Sequence, residues 1–153
     1  MDGKTRDVPP EAAALIGRPR ENVFEVTARD IRHYIDAIGA PSGPDNDDEL
    51  VAPPLFHHVL MFEHVPASTL RPDGLPLELD LPLPSTHMVG GAADIEIHRQ
   101  MRPGDVVTVS SVIDDVVPKT GRSGQLYIVN MTTTYTERDG EILAVERSTF
   151  INR

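Results

Sequence analysis

At 153 residues the chain has single-domain length, and folding at that size buries roughly 70% of the unfolded surface. A net charge of -10 with no run of Lys or Arg argues against nucleic acid and anionic membrane surfaces as partners. The absence of cysteine removes disulfides, thiolate nucleophiles and Cys-based zinc sites.

The apolar fraction of 39% and the lack of Trp imply an aliphatic core. No apolar run reaches the roughly 18 residues of a membrane span, and MDGKTRDVPPEAAALIG lacks the order of a signal peptide, so a cytoplasmic location is expected. Residues 1–10 are polar, end in Pro9–Pro10 and are expected to fray, leaving 11–153 as one domain. Glu11–Ile16 suits a short helix closed by Gly17, and Asn22–Val26 a short strand. Thr27 and Asp30 come close to a capping box, and Ile31, Tyr34, Ile35 and Ile38 recur at helical spacing before Gly39. That spacing predicts a helix over 28–38, with His33 and Asp36 on its polar side. Ala40–Val51 is a loop by composition. Its Asp45, Asp47 and Glu49 lack the glycine and further ligands of a calcium loop.

Pro53–Pro54 followed by LFHHVLMFEHV predicts a second helix, with proline in the first turn where its missing N–H does no harm. It should stop before Pro66. On such a helix His57 and His64 lie roughly 10 Å apart, and His57 and His58 point about 100° away from each other. This spacing argues against a shared metal ion, so no metal is expected. A histidine facing a substrate pocket is left open. Next, GLPLELDLPLP (Gly74–Pro84) sets Leu75, Leu77, Leu79, Leu81 and Leu83 on one face, but Pro76, Pro82 and Pro84 forbid a central strand. The segment reads as an extended arm, whose leucines either lid the chain's own core or face an acyl chain or partner subunit.

Met88–Val117 reads as a hairpin turning at Arg102–Pro103–Gly104–Asp105. Ala93, Ile95 and Ile97 alternate with polar residues before the turn, and Val107, Val109 and Ile113 fall on one side after it. Pro118–Gly124 is expected to be a turn and Gln125–Glu137 a strand. Asp139–Gly140 signals a hairpin, and Glu141–Asn152 is a last strand with Leu143, Val145 and Ile151 inward. Helices gathered on one face of a four-stranded antiparallel meander make an α+β domain. A long curved sheet wrapped around one central helix is the hotdog arrangement.

The stretches GGAADIEIHRQMRPGDVVTV, GRSG, NMTTTYTERDGEILAVERSTFI and VAPPLF resemble the MaoC-like family. More narrowly, they are similar to the N-terminal, FAS1-like dehydratase half found in two-hotdog hydratases and in paired small subunits. The resemblance covers about residues 11–152. It implies hydration of an enoyl thioester, or dehydration of a 3-hydroxyacyl thioester, of coenzyme A or acyl carrier protein, without cofactor. It also implies an Asp and a His for proton transfer in a G-D-x-N-P-x-H segment after the first helix. Laid on Gly39, that segment places Ala40 at the Asp position, Ser42 and Gly43 at the Asn and Pro positions, and Asp45 at the His position. Ala40 cannot transfer a proton.

Three readings follow. The chain is a non-catalytic half that shapes the acyl pocket while a MaoC-type partner brings Asp and His. Or it catalyses alone, as a hydro-lyase or thioesterase, through His57, His58, His64 or His87. Or it binds a thioester or small ligand without hydro-lyase chemistry. The candidate substrate-binding residues are Pro53, Pro54, Leu55, Phe56 and His57 at the start of the second helix, where backbone N–H groups would meet a carbonyl. Gly90 and Gly91, beside His87, would admit a ligand closely or else mark a bulge. Lys119 and Arg122 are candidates for coenzyme phosphates. Exposed sheet edges lead us to expect a homo- or hetero-oligomer with another hotdog subunit.

Overall fold

A computed structural model describes residues 8–61, 66–70, 74, 81–85, 87–121 and 124–153. The elements run α1 (Pro10–Ala13), β1 (Pro19–Glu25), α2 (Ala28–Ile38), α3 (His57–Met61), β2 (Met88–Ile97), β3 (Val106–Gly121), β4 (Gly124–Glu137) and β5 (Ile142–Asn152). Short 3-10 turns occupy Asp47–Glu49 and Ala67–Thr69. The five strands form one antiparallel sheet in the order β1-β3-β4-β5-β2.

That order corrects the expected hairpin. β2 and β3 do not pair; β2 lies on β5, from Met88 opposite Asn152 to Ile97 opposite Ala144, at the far edge of the sheet from β1. The Arg102–Asp105 turn does form, with Asp105 N–H on the Arg102 carbonyl at 3.1 Å and Gly104 at φ 92°. It serves a different purpose. Gly104 N–H donates to Val26 O and Val26 N–H to Asp105 O, each at 2.8 Å, while Ala52 N–H reaches Met101 O at 2.8 Å. The loop therefore ties the end of β1 and the pre-α3 segment together as the chain crosses from the edge strand β2 to the inner strand β3. Alternating polarity identifies a strand but does not name its neighbour.

α2 matches its expected span. The Thr27 hydroxyl accepts from Asp30 N–H at 3.1 Å, and Gly39 closes the helix in the left-handed region at φ 65°. Ile31 and Ile35 face a core made with Leu50, Phe56, Leu60 and the inner face of the sheet, including Val107 and Tyr135. A second cluster gathers Val8, Ala12, Leu81, Val116, Tyr127 and Val129. Val8, in the segment expected to fray, is thus buried. Leu81 of the leucine arm is buried there too; Leu75, Leu77 and Leu79 lie outside the described residues.

Two further boundaries shift. The second helix is described only over His57–Met61, because Pro54–Phe56 form a turn in which Leu55 takes φ 69°; residues 62–65, His64 among them, lie outside the described residues. The Pro118–Gly124 segment is largely strand, with β3 running to Gly121 and β4 starting at Gly124. Pro118 is tolerated because β1 ends opposite Val112, so at Pro118 β4 is the one neighbouring strand among the described residues and no β1 ladder bond is lost.

Candidate functional site

The inner face of β5 departs most from the expected pattern. Ala144, Glu146, Ser148 and Asn152 are buried, whereas Val145 and Ile151, expected to point inward, are half-buried on the other face. Leu143 is buried as expected. β5 thus turns polar side chains toward the helices, against the rule that the apolar face goes in.

Glu146 is the centre of that polar set. It is 4% exposed, and its Oε2 lies 3.2 Å from His57 Nε2 and 2.8 Å from His58 Nε2. Ser148 donates its hydroxyl to Oε1 at 2.6 Å. Burial pushes the Glu146 carboxyl up, but the hydrogen bonds from His57, Ser148 and His58 and the charge of His58 more than reverse this, holding it at about 2. Its place on the sheet comes from β4, where Thr133 is its register partner and Tyr135 stands opposite Ala144. The fully buried Tyr135 ring meets His57 edge-on at 5.0 Å. Its hydroxyl finds no hydrogen-bond partner among the described residues. Burial first, and then the charge of Glu146, push that phenol well above its ordinary range. The His57 side chain is 3% exposed and that of His58 40%, so one imidazole is sealed inside and the other reaches solvent.

A cavity of about 220 Å³ opens along the same face of the sheet. Leu15, Met61, Met88, Met131 and Phe150 supply much of its apolar wall, and Arg18 and Arg20 stand at it from the β1 side. Met131 is the register partner of Ser148, and Ser111, which lines the cavity, is 3.0 Å from Thr133 Oγ1. The Glu146 cluster therefore continues the cavity along β4 and β5.

The residues singled out in the sequence divide. Pro53, Pro54, Leu55, Phe56 and His57 come together, but around a separate hollow of about 20 Å³, room for about one water molecule. Phe56 is a core residue at 1% exposure, and its N–H already donates to Pro53 O at 3.2 Å. Gly90 and Gly91 line neither space; they sit at a bulge of β2, between Gly90 and Ala92. His87 is exposed, and its carbonyl accepts from Arg153 N–H at 3.1 Å. Ala40 packs against the core and Asp45 is exposed, its carbonyl held by Arg32 at 3.0 Å. Neither stands at the Glu146 cluster. Lys119 is exposed on β3, and Arg122 lies outside the described residues. Sequence reasoning missed Glu146, Ser148, Tyr135 and most of the cavity wall.

A family model described as the FAS1-like dehydratase domain region matches residues 14–146. The chain belongs to this family. It is 32% identical over 135 residues to the mesaconyl-C(4)-CoA hydratase of Chloroflexus aurantiacus, covering 87% of this chain and 47% of that protein. It is 26% identical over 148 residues to a probable enoyl-CoA hydratase alpha subunit of Thermomonospora curvata, covering 86% and 46%. The chain thus spans about half the length of the curated relatives it matches. Among solved structures, the ChsH1-ChsH2 complex of Mycobacterium tuberculosis contains a chain that superposes with a TM-score of 0.69 at 23% identity, over 93% of this chain and 88% of that one. The sheet is the hotdog sheet of the MaoC-like dehydratases. No helix among the described residues is long and apolar enough to cross a membrane.

Proposed function

We propose that this FAS1-like dehydratase domain is the acyl-pocket half of an enoyl-thioester hydratase or 3-hydroxyacyl-thioester dehydratase. The observation that carries the reading is the pairing of a formed apolar cavity with a blank proton-transfer segment. The cavity of about 220 Å³ suits an acyl chain, while the resemblance, laid on Gly39, puts Ala40 and Asp45 at the family's Asp and His positions. Hydration needs a base to activate water and an acid to protonate the α-carbon. A second MaoC-type hotdog subunit or domain supplies both. The likeness to halves of longer hydratases and to a chain of a two-component complex supports this division. The outer edge of β2, which has no strand beside it among the described residues and where Val89 and Ile97 are exposed, offers backbone that such a partner would cover.

A second reading rests on Glu146. A buried carboxylate bonded to two imidazoles is a proton-transfer group in kind, and it would let the chain act alone through His57 or His58. One experiment separates the two. The purified chain is assayed for hydration of crotonyl-CoA and longer enoyl-CoA thioesters, alone and with a MaoC-type subunit carrying an intact G-D-x-N-P-x-H segment. The first reading expects no turnover alone and turnover in the pair. Turnover by the chain alone, abolished by His58→Ala, would replace it with the second.

A further inference from the structure

We propose that His57, His58 and Glu146 form a binding site for a divalent transition-metal ion of the zinc class. The argument starts from three ligand atoms. His57 Nε2, His58 Nε2 and a Glu146 carboxylate oxygen all lie within 4.8 Å of one another, and both imidazole nitrogens face the same oxygen at 3.2 and 2.8 Å. Zinc sits about 2.0–2.2 Å from imidazole nitrogen and carboxylate oxygen, so a tetrahedral set has ligand atoms about 3.3 Å apart. The two N···O separations need only a few tenths of an ångström of adjustment, and the two imidazole nitrogens lie within 4.8 Å of each other. A hydrogen-bonded cluster and a metal site thus share nearly one geometry here, the ion replacing the two ring protons that otherwise point at Oε2.

The ligand types narrow the ion. Two imidazoles and one carboxylate suit zinc, cobalt or nickel, whereas calcium and magnesium take oxygen sets that these residues do not supply. Three protein ligands leave a fourth position, and the 40% exposure of the His58 side chain gives an ion and its water a route in. The surroundings already hold the ligands in place. Ser148 binds the other carboxylate oxygen at 2.6 Å, which directs Oε2 at the histidines, and the Tyr135 ring braces His57 at 5.0 Å. The Tyr135 ring that meets His57 also carries a fully buried hydroxyl with no partner among the described residues. A metal-bound water or hydroxide is an acceptor of the kind that donor lacks.

The test uses the full chain stripped with chelator and titrated with zinc by calorimetry, and with cobalt in the visible region. The expected result is one equivalent bound and the intense absorption of tetrahedral cobalt. Glu146→Gln and His58→Asn should each weaken binding roughly ten-fold or more, while His98→Asn, at an exposed histidine in the bend just after β2, should leave it unchanged. His58 is partly exposed, so its variant keeps the test valid if Glu146→Gln fails to fold; circular dichroism checks both. Absence of saturable binding, or binding indifferent to Glu146→Gln and His58→Asn, overturns the proposal.

Discussion

Placing the Glu146 carboxylate at 4% exposure costs free energy that its bonds to His57, His58 and Ser148 must offset. The sign of the resulting pH dependence follows from its carboxyl being held at about 2, below the ordinary 4.5. A carboxyl depressed in the folded state contributes stability that is complete above the unfolded value and is lost as pH falls through the folded one. The window here runs from about pH 4.5 down to about pH 2, and the shift corresponds to about 3 kcal/mol. In urea denaturation of chelator-treated protein, Glu146→Gln should be less stable than the native chain near neutrality, by an amount of that order. The gap should narrow toward about pH 3; a gap of constant size across that range would contradict the assignment. The sequence shows His57 and His58 but hides their convergence, because about 100° between Cβ directions on a helix does not fix where ring tips meet. Their centroids lie 4.4 Å apart, drawn to one oxygen. Glu146 is 88 residues beyond His58, and an apolar-in reading of β5 turns it outward. Local pattern fails here because the buried face is polar.

At the scale of elements, α2 was legible from cap, periodicity and closing glycine, all local signals. The strands were legible as strands for the same reason. Their pairing was not: β2 joins β5 across a separation that alternating polarity cannot encode, and the turn at Arg102–Asp105 suggests a hairpin that the chain does not make. The bulge in β2 gives the Gly90–Gly91 pair a structural role that can be measured. A Cβ at Gly91 would stand 3.1 Å from the Thr149 carbonyl oxygen, a backbone atom of the neighbouring strand that cannot swing aside. A Cβ at Gly90 would meet nothing within 4 Å. Gly91→Ala should therefore destabilise by about 1–2 kcal/mol, and Gly90→Ala should stay within about 0.5 kcal/mol of the native chain. Thermal and urea denaturation of the two variants decide it. Equal effects would mean that the bulge does not select its glycine.

For the whole molecule, the cavity connects fold to proposed activity, and it can be altered without disturbing the core. Leu15 lies in the turn after α1, is 36% exposed and lines the cavity, so a larger side chain there can narrow the space while keeping a path to solvent. Phe56, which the sequence put forward for substrate contact, is the wrong residue for this test. It is a core side chain, and truncating it would cost about 3–5 kcal/mol of stability and confuse binding with folding. Leu15→Trp should leave the melting temperature within a few degrees, since Leu15 belongs to neither core cluster. In the complex with a MaoC-type partner, it should raise KM for a long-chain enoyl thioester by roughly ten-fold, the effect of about 1.4 kcal/mol of lost binding. The same variant should change KM for crotonyl-CoA far less, because a short acyl group does not reach the narrowed end. A steady-state comparison of the two substrates on both proteins measures that ratio of ratios. Equal losses on short and long thioesters would show that the acyl chain runs elsewhere, and the cavity would then have to be read as packing space behind the sheet.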